Sequence, residues 1–282
     1  MRSLLSMKIA LNKTRSSNEL DPENIKERQK SLLKIYEDVF MACDKHGLKL
    51  FLQGGTLLGK VRHNGFIPWD DDMDLGLCRE DYDRLESVYE SELSDLYILK
   101  KPGYERGAST RFAQIYRKSD ETIQKVWIDI FPIDYVPDNW INKIWIGTVS
   151  NILMAIAGSI EFISSCDRKT KQRLLVSTTG TVNYYIRKLI YLLFRWKNLD
   201  AWYSAIEKTV RNRKFGRYCT SSVGRWHYFG EMQKSQVFFP LKTTFFCGIR
   251  AWTLNNEKQY LEHNYGLDYM MIPPKEKREK HN

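Results

Sequence analysis

The chain has 282 residues, of which 43% are hydrophobic and 13% aromatic, so it can bury a substantial core and is not globally disordered. Its 44 Lys and Arg outnumber its 34 Asp and Glu, and the formal net charge of +10 favours an anionic partner. The five cysteines form no CxxC pair, which excludes zinc-finger spacing and argues against a disulfide framework. We therefore expect a globular protein of a reducing compartment, the cytoplasm.

The two ends of the chain are predicted to lie outside the folded part. Residues 1–20 contain no sustained hydrophobic run of the kind that a signal peptide needs, so we expect a flexible tail there. Residues 275–282 are nearly all charged and are predicted to fray. Between these tails we predict a catalytic core over residues 21–140, a helical insert over 141–214, and the C-terminal part of the same catalytic unit over 215–274.

The predicted core alternates helices with short strands. A first helix is predicted to begin at an Asp21 N-cap and to end at Gly47. A short apolar strand at 48–53 then leads into a second helix at 56–62. Further predicted elements are a helix at 79–93, strands at 97–100, 111–117 and 126–133, and a helix at 257–264. This order predicts an α+β fold with a nucleotidyltransferase-like mixed sheet and flanking helices.

The run Trp-Asp-Asp-Asp-Met-Asp-Leu-Gly-Leu at 69–77 is the most informative motif of the chain. Side chains of a strand alternate between its faces, so Asp72 and Asp74 are predicted to share one face. The apolar residues of the run are predicted to enter the core from the other face, namely Met73, Leu75 and Leu77. Two neighbouring carboxylates repel each other unless a cation lies between them, and their hard oxygens suit Mg²⁺ or Mn²⁺. Taken alone, a short run of Asp residues is more often a solvated acidic turn before a strand.

Two further features extend this motif into a candidate transfer site. Asp129 lies within the apolar strand 126–133, where a carboxylate is costly unless it is paired, caps a loop or binds a metal ion. Gly54, Gly55 and Thr56 lie at a predicted helix start, whose backbone N–H groups can bind phosphate. A glycine loop, an Asp-x-Asp strand and a third carboxylate together indicate metal-dependent phosphoryl or nucleotidyl transfer.

Other polar residues near these elements are expected to support the site. Donor phosphates are expected to contact the basic side chains between the loop and the acids, which are Lys60, Arg62 and His63. Three more carboxylates are expected to shape a loop or to contact substrate, namely Asp70, Asp71 and Asp134.

The predicted insert contains two apolar helices of different character. Residues 144–160 carry no charge, but several Gly, Ser and Asn residues make this segment a poor transmembrane helix, so we expect a buried or interfacial one. Residues 183–197 combine Tyr, Ile and Leu with Arg and Lys, which is typical of a membrane-surface helix and also compatible with a helix packed on the core.

Three blocks of the sequence resemble the LicD family. The first is GGTLLGKVRHNGFIPWDDDMD at 54–74, which is highly specific for the family. The second is IDIFPID at 128–134, and a weaker C-terminal block contains Tyr260-Leu261, Tyr265-Gly266 and Pro273-Pro274.

This resemblance implies a nucleotidyltransferase-like fold that transfers a phosphoalcohol, often phosphocholine, from a CDP-alcohol to a glycan such as lipopolysaccharide, teichoic acid or capsule. Fukutin-related proteins are the animal relatives. By position, Asp72 and Asp74 correspond to the metal ligands and Asp129 to the third carboxylate, for Mg²⁺ or Mn²⁺. The resemblance also implies that the glycine loop holds donor phosphate, and that a lipid-linked acceptor brings the chain to the inner face of a bacterial plasma membrane.

Several alternatives remain open from the sequence. A nucleotidyltransferase would attach a nucleoside monophosphate to the acceptor instead of the phosphoalcohol. A sugar-nucleotide glycosyltransferase would explain the Asp-x-Asp pair but neither the glycine loop nor Asp129. A membrane-associated scaffold with an inactive site is the non-enzymatic alternative. A nucleic-acid partner would rest on net charge alone, so none is expected.

Overall fold

A mixed sheet flanked by helices forms the centre of the computed structural model, which confirms the predicted α+β fold class. The predicted tail at 1–20 and the Asp21 N-cap lie outside the described residues, as does the charged end of the chain apart from Arg278. The structure describes residues 22–104, 109–118, 126–212, 214–274 and 278.

The described residues form ten α-helices, one π-helical turn and nine strands. The helices are α1 (Pro22–Lys45), α2 (Gly54–His63), α3 (Arg79–Val88) with a π-helical turn (Tyr89–Leu93), α4 (Trp140–Ser165), α5 (Arg168–Leu175), α6 (Thr178–Phe194), α7 (Leu199–Val210), α8 (His227–Gly230), α9 (Ser235–Phe238) and α10 (Glu257–Tyr265). The strands are β1 (Phe51–Leu52), β2 (Asp74–Cys78), β3 (Tyr97–Lys100), β4 (Ala113–Arg117), β5 (Trp127–Val136), β6 (Tyr218–Thr220), β7 (Gln233–Lys234), β8 (Lys242–Phe246) and β9 (Ile249–Thr253).

The sheet has the strand order β3-β4-β5-β2-β1-β9-β8, and β6 and β7 extend it beside the second half of β5. The central pair β2 and β5 is parallel, whereas β1 pairs with β2 in the antiparallel sense. Strand β5 is long enough to pair first with β4 and then with β6 along the same edge. As a result, the C-terminal end of β1 and the N-terminal ends of β2 and β5 meet at one edge of the sheet.

The core lies beneath the face of the sheet opposite to the acidic side chains. Met73, Leu75 and Leu77 are 0% exposed, which confirms the prediction that these residues alternate away from the carboxylates. On β5, Ile128 and Ile130 are fully buried and Asp129 between them is only half-buried. The two central strands therefore direct apolar side chains to one face and aspartates to the other.

The helices α4 to α7 cover the range of the predicted insert, 141–214, and α4 begins one residue before it. Helices α4, α6 and α7 form a small apolar core, which also contacts Phe131 of β5 and its neighbour Phe112, whose ring centroids are 4.1 Å apart. Helix α4 is long and apolar enough to cross a membrane by composition, and 39% of its most apolar window is buried within the protein. The division into domains remains a prediction.

Capping residues explain why two of these helices begin earlier than predicted. Helix α4 starts at Trp140 because the Asn139 side chain accepts hydrogen bonds from the first backbone N–H groups of the helix. Helix α6 starts at Thr178, where Ser177 accepts from the Gly180 N–H group in the same way. Apolar periodicity alone does not reveal the first turn of α6, since its first four residues are Thr and Gly.

Candidate active site

Three predicted carboxylates come together at the edge where β2 and β5 begin. Asp74 is the register partner of Asp129 across the parallel pair, and register partners project from the same face of a sheet. The Asp129 N–H group donates to the Met73 carbonyl at 2.9 Å, so strand pairing continues one residue before β2. Asp72 lies two residues before Asp74 and is half-buried like it, while Met73 between them is buried.

The first turn of α2 holds the Asp74 carboxylate in place. The Gly55 N–H group donates to Asp74 Oδ2 at 3.0 Å, and the Asp74 N–H group donates to Thr56 Oγ1 at 2.8 Å. The Gly54 N–H group donates to the Tyr260 hydroxyl at 3.3 Å. The partial positive charge of a helix N-terminus stabilises an anion, here the carboxylate itself. These contacts position Asp74, and the predicted contact of the glycine loop with donor phosphate remains a prediction.

Gly54 is required at its position by both its backbone and its neighbour. Its φ is +52°, and a Cβ atom there would lie 2.3 Å from Asp74 Oδ2. We expect Gly54→Ala to lower the free energy of unfolding by about 1–3 kcal/mol through the left-handed backbone, with a further loss from displacement of Asp74. Urea denaturation measures this change.

Gly47→Ala is the matched control for this substitution. Gly47 has a φ of +73°, and nothing lies within 4 Å of its added Cβ atom. Both variants place alanine in a left-handed backbone conformation, which destabilises each of them. Only Gly54→Ala also brings a Cβ atom into a steric clash with the Asp74 carboxylate. If the two variants lose equal stability, the close packing of Gly54 against Asp74 has no energetic role.

The loop that precedes β2 is fastened to α1. The Gln29 side-chain amide donates to the carbonyls of Ile67 and Asp70 at 3.0 and 2.8 Å. Arg28 Nε donates to the Asp71 carbonyl at 2.6 Å and lies 3.7 Å from its carboxylate. Asp71 is buried beside this guanidinium. Of its two predicted roles, loop shaping is therefore the one that its contacts support.

Asp70 points instead toward the carboxylates. A Cβ atom placed on Gly55 would lie 3.2 Å from Asp70 Oδ2 and 3.7 Å from Asp74 Oδ2, so both oxygens converge in front of α2. Burial, followed by the charges of Asp72 and Asp74, raises the pKa of the Asp70 carboxyl well above its ordinary value. This cluster needs a proton or a cation to relieve its repulsion.

The chemistry of the carboxylate cluster is compatible with a divalent cation if further ligands complete its coordination. Among the residues that the structure describes, no group of three His, Cys, Asp or Glu side chains is arranged to hold a metal ion without other ligands. Mg²⁺ is usually bound by one or two carboxylates together with substrate phosphates and water, so it does not require such a group. Asp72 and Asp74 supply hard oxygen ligands of the right kind, with Asp129 beside them on the neighbouring strand.

The sequence did not reveal several polar residues around the cluster. Gln114 of β4 is the register partner of Asp129, and its Nε2 atom donates to Asp129 Oδ1 at 2.7 Å. The Tyr116 hydroxyl in turn donates to Gln114 Oε1 at 2.7 Å. Alternation within β4, where the flanking Ala113 and Ile115 are buried, is the signal that could have placed Gln114 and Tyr116 on the acidic face.

The C-terminal part of the chain closes the other side of the site. Tyr260 and Tyr265 are close enough to Asp74 for its charge to contribute to the raised pKa values of both hydroxyls, although burial is the main cause. Glu231 also contributes to both shifts, and burial raises the pKa of its own carboxyl to about 7. The family resemblance included Tyr260 and Tyr265, but these residues and Glu231 lie far from the acidic run in sequence, so no local pattern placed them at the site.

The three basic residues predicted to contact donor phosphates have partners within the protein. Lys60 Nζ forms an ion pair with Glu257 at 2.7 Å. Arg62 Nη1 donates to the carbonyls of Tyr269 and Met271 at 2.9 and 3.2 Å, and its Nε donates to His63 Nε2 at 3.0 Å. Arg62 and Lys60 thereby hold the C-terminal part against α2, and contact with donor phosphates remains a prediction.

Of the two roles predicted for Asp134, loop shaping is the one that its contacts support. It is 0% exposed, and its two carboxylate oxygens accept from Arg79 Nε and Nη2 at 2.7 and 2.8 Å. The N–H group of Asn212, in the loop after α7, also donates to it, at 3.1 Å. Asp134 therefore holds this loop and pairs with Arg79, and contact with substrate remains a prediction.

Known proteins share the segment that contains this site. Residues 47–154 match the family described as "LicD/FKTN/FKRP, nucleotidyltransferase domain". The lipopolysaccharide cholinephosphotransferase LicD of Haemophilus influenzae is 27% identical over 267 residues, which are 92% of this chain and 96% of that protein. Human ribitol 5-phosphate transferase FKRP is 30% identical over 99 residues, which are 34% of this chain and 20% of that protein.

The matched segment includes the glycine loop, the acidic run and Asp129, and the alignment with the Haemophilus protein extends over nearly the whole of both chains. The proteins with established names in this group are transferases. The comparisons therefore confirm the predicted resemblance to the LicD family, with the matched domain at residues 47–154.

Proposed function

We propose that the chain transfers a phosphoalcohol from a CDP-alcohol to a hydroxyl group of a cell-surface glycan. The relatives named above are a cholinephosphotransferase of lipopolysaccharide and a ribitol 5-phosphate transferase, so both move an alcohol joined to phosphate. The observation that carries the proposal is the juxtaposition of Asp74 and Asp129 on parallel strands, with Asp72 beside them and the α2 N-terminus in front.

In the proposed reaction, the acceptor hydroxyl attacks the phosphorus that bears the alcohol, the bond from this phosphorus to CMP breaks, and CMP leaves. Asp72 and Asp74 would hold Mg²⁺ or Mn²⁺, which when bound neutralises charge on the donor diphosphate. Gly55 fixes the orientation of Asp74 through its N–H group. Gln114 orients Asp129, which we assign as the acceptor of the hydroxyl proton.

A thermal-shift screen tests the donor and the metal together. We expect CDP-choline, CDP-ribitol or CDP-glycerol to raise the melting temperature when Mg²⁺ is present, because a ligand at a hundredfold excess over its Kd stabilises the native state by about 2.7 kcal/mol. EDTA is expected to remove most of this shift, since the carboxylates would then repel the diphosphate. A donor-induced shift that EDTA leaves unchanged would contradict the metal's role.

Nucleotidyl transfer is the second candidate, because the matched family is described as a nucleotidyltransferase domain. The same carboxylates could support attack on the phosphorus that bears the nucleoside, with a phosphoalcohol as leaving group. The mass of the glycan product distinguishes the two reactions. An acceptor that gains the mass of a nucleoside monophosphate, and not that of the phosphoalcohol, would replace our proposal with this one.

A further inference from the structure

Helix α6 carries an apolar face that points away from the protein. Seven apolar side chains recur at intervals of three and four residues along α6 and the turn after it, which places them on one side of the helix. Their exposed fractions range from 51% to 74%. We call this set the outer stripe, and it consists of Val182, Tyr185, Ile186, Leu189, Leu192, Leu193 and Trp196.

The opposite face of α6 already has its packing partners. Tyr184 is buried, and Ile190, Tyr191 and Phe194 pack against the small apolar core formed with α4 and α7. Arg187 Nη1 donates to the Gly158 carbonyl of α4 at 3.2 Å. The helix thus buries one side against the protein and leaves a second apolar side exposed, which an ordinary surface helix does not do.

The positive charge of the chain is concentrated around this stripe. Residues 168–199 contain eight Lys and Arg and no Asp or Glu, so this segment contributes eight of the ten net charges and the other residues contribute two. At the 100° per residue of an α-helix, Lys188 and Arg195 flank the stripe on one side and Lys197 flanks it on the other. Helix α5 adds four exposed or half-exposed basic residues, which are Arg168, Lys169, Lys171 and Arg173.

We propose that the outer stripe docks on an anionic membrane, with α6 lying in the plane of the surface. Its apolar side chains would enter the boundary between headgroups and acyl chains. The flanking Lys and Arg side chains are long enough to extend back to lipid phosphates. Both parts of the recognition, apolar area and positive charge, therefore come from one helix and its neighbour α5.

A second copy of the chain fits this surface less well than lipid does. A symmetric pairing of two outer stripes would bring Lys188, Arg195 and Lys197 of both copies to the same interface. Residues 168–199 offer no carboxylate to neutralise them, so like charges would repel across the contact. An anionic leaflet supplies the neutralising charge that the chain lacks here.

The docking helix is linked to the candidate active site by continuous packing. Ile190 and Phe194 of α6 belong to the same apolar cluster as Phe131 of β5, which lies two residues after Asp129. Membrane docking would therefore hold the catalytic strand close to the surface, where a lipid-linked glycan acceptor would be found. This last step rests on the proposed function, whereas membrane binding itself does not.

Cosedimentation of the full chain with lipid vesicles tests the proposal. We expect binding to phosphatidylcholine vesicles that contain phosphatidylglycerol, weak binding to phosphatidylcholine alone, and release by high salt. The triple variant Ile186→Gln, Leu189→Gln, Leu193→Gln is expected to lose binding. A matched triple control replaces exposed apolar residues elsewhere and should bind like the wild type, namely Met41→Gln, Leu96→Gln and Leu267→Gln.

A separate double variant tests how much the basic side chains contribute to membrane binding. Lys188→Gln with Arg195→Gln should weaken binding to anionic vesicles about thirtyfold, since each cation near an anionic surface contributes a factor of roughly five. Circular dichroism checks that all variants fold, and transfer to a water-soluble acceptor should be unchanged by them. This activity check separates a failure of docking from a failure of the proposed function.

Three results would overturn the proposal. The first is the absence of vesicle binding by the wild-type chain at low salt. The second is a concentration-dependent dimer in lipid-free solution that the stripe variant abolishes, which would assign the surface to a second copy. The third is equally strong binding by the stripe variant and the wild type, which would show that other residues contact the lipid.

Discussion

Asp74→Asn is expected to abolish transfer and to leave the fold intact. The substitution keeps the shape of the side chain, and the amide oxygen of Asn can still accept from the Gly55 N–H group. What it removes is one negative charge that would help to hold the cation. Because a bound metal ion contributes several kcal/mol to stabilising the transition state, we expect kcat/KM to fall at least about 10³-fold.

The stability of this variant distinguishes a functional role from a structural one. Asp70 and Asp72 lie close enough to Asp74 for like charges to repel, so neutralising Asp74 should leave the melting temperature unchanged or raise it. Product formation is followed by mass spectrometry and unfolding by circular dichroism. Asp95→Asn, at an exposed turn, is the control and should behave like the wild type in both assays. Turnover by Asp74→Asn at the wild-type rate would refute the assignment.

The alternation of the acidic run predicted the orientation of its side chains, because strand periodicity is local. Met73 and Leu75 are buried and Asp72 and Asp74 are not, as the pattern requires. The pairing of Asp74 with Asp129 is different, since 55 residues separate them and no local rule sets the register of parallel strands. Residue chemistry and the family resemblance both grouped Asp129 with the acidic run, but neither predicted the register of the two strands.

The sequence pattern did not predict contacts between residues that lie far apart in the chain. Asp134 follows Asp129 in the same apolar strand, and nothing nearby indicated that Arg79 would pair with it across the fold. Tyr260 reaches the glycine loop from the last helix of the described chain. Helix α6 was compatible with either a core or a membrane-surface position, because periodicity identifies a face but not what covers it.

Arg79→Met is expected to destabilise the fold by about 3–5 kcal/mol, because it leaves buried carboxylates without their cation. The Arg79 side chain is 1% exposed and donates to both oxygens of Asp134 and to Glu207 Oε1, at 2.7 to 3.0 Å. These bonds join α3, β5 and α7, so one buried network of hydrogen bonds connects the sheet to the helices of the predicted insert. A loss of this size is a large part of the 5–15 kcal/mol that is typical of a whole domain.

The pH dependence of this loss identifies its cause. Burial raises the pKa values of Asp134 and Glu207, and Arg79 offsets part of both shifts. Without the guanidinium, the pKa values of both carboxyls in the folded state rise further above their unfolded-state values of about 4. The loss of unfolding free energy in Arg79→Met is therefore small below about pH 4, where the carboxyls are protonated, and grows as pH rises through their folded-state pKa values. Arg84→Met on the same helix removes a half-exposed cation 3.6 Å from Asp81 and should change stability by less than about 0.5 kcal/mol. Urea denaturation of both variants, from below pH 4 to neutral pH, measures this dependence. A loss of stability that does not change with pH would mean that Arg79 stabilises the fold by packing rather than by charge.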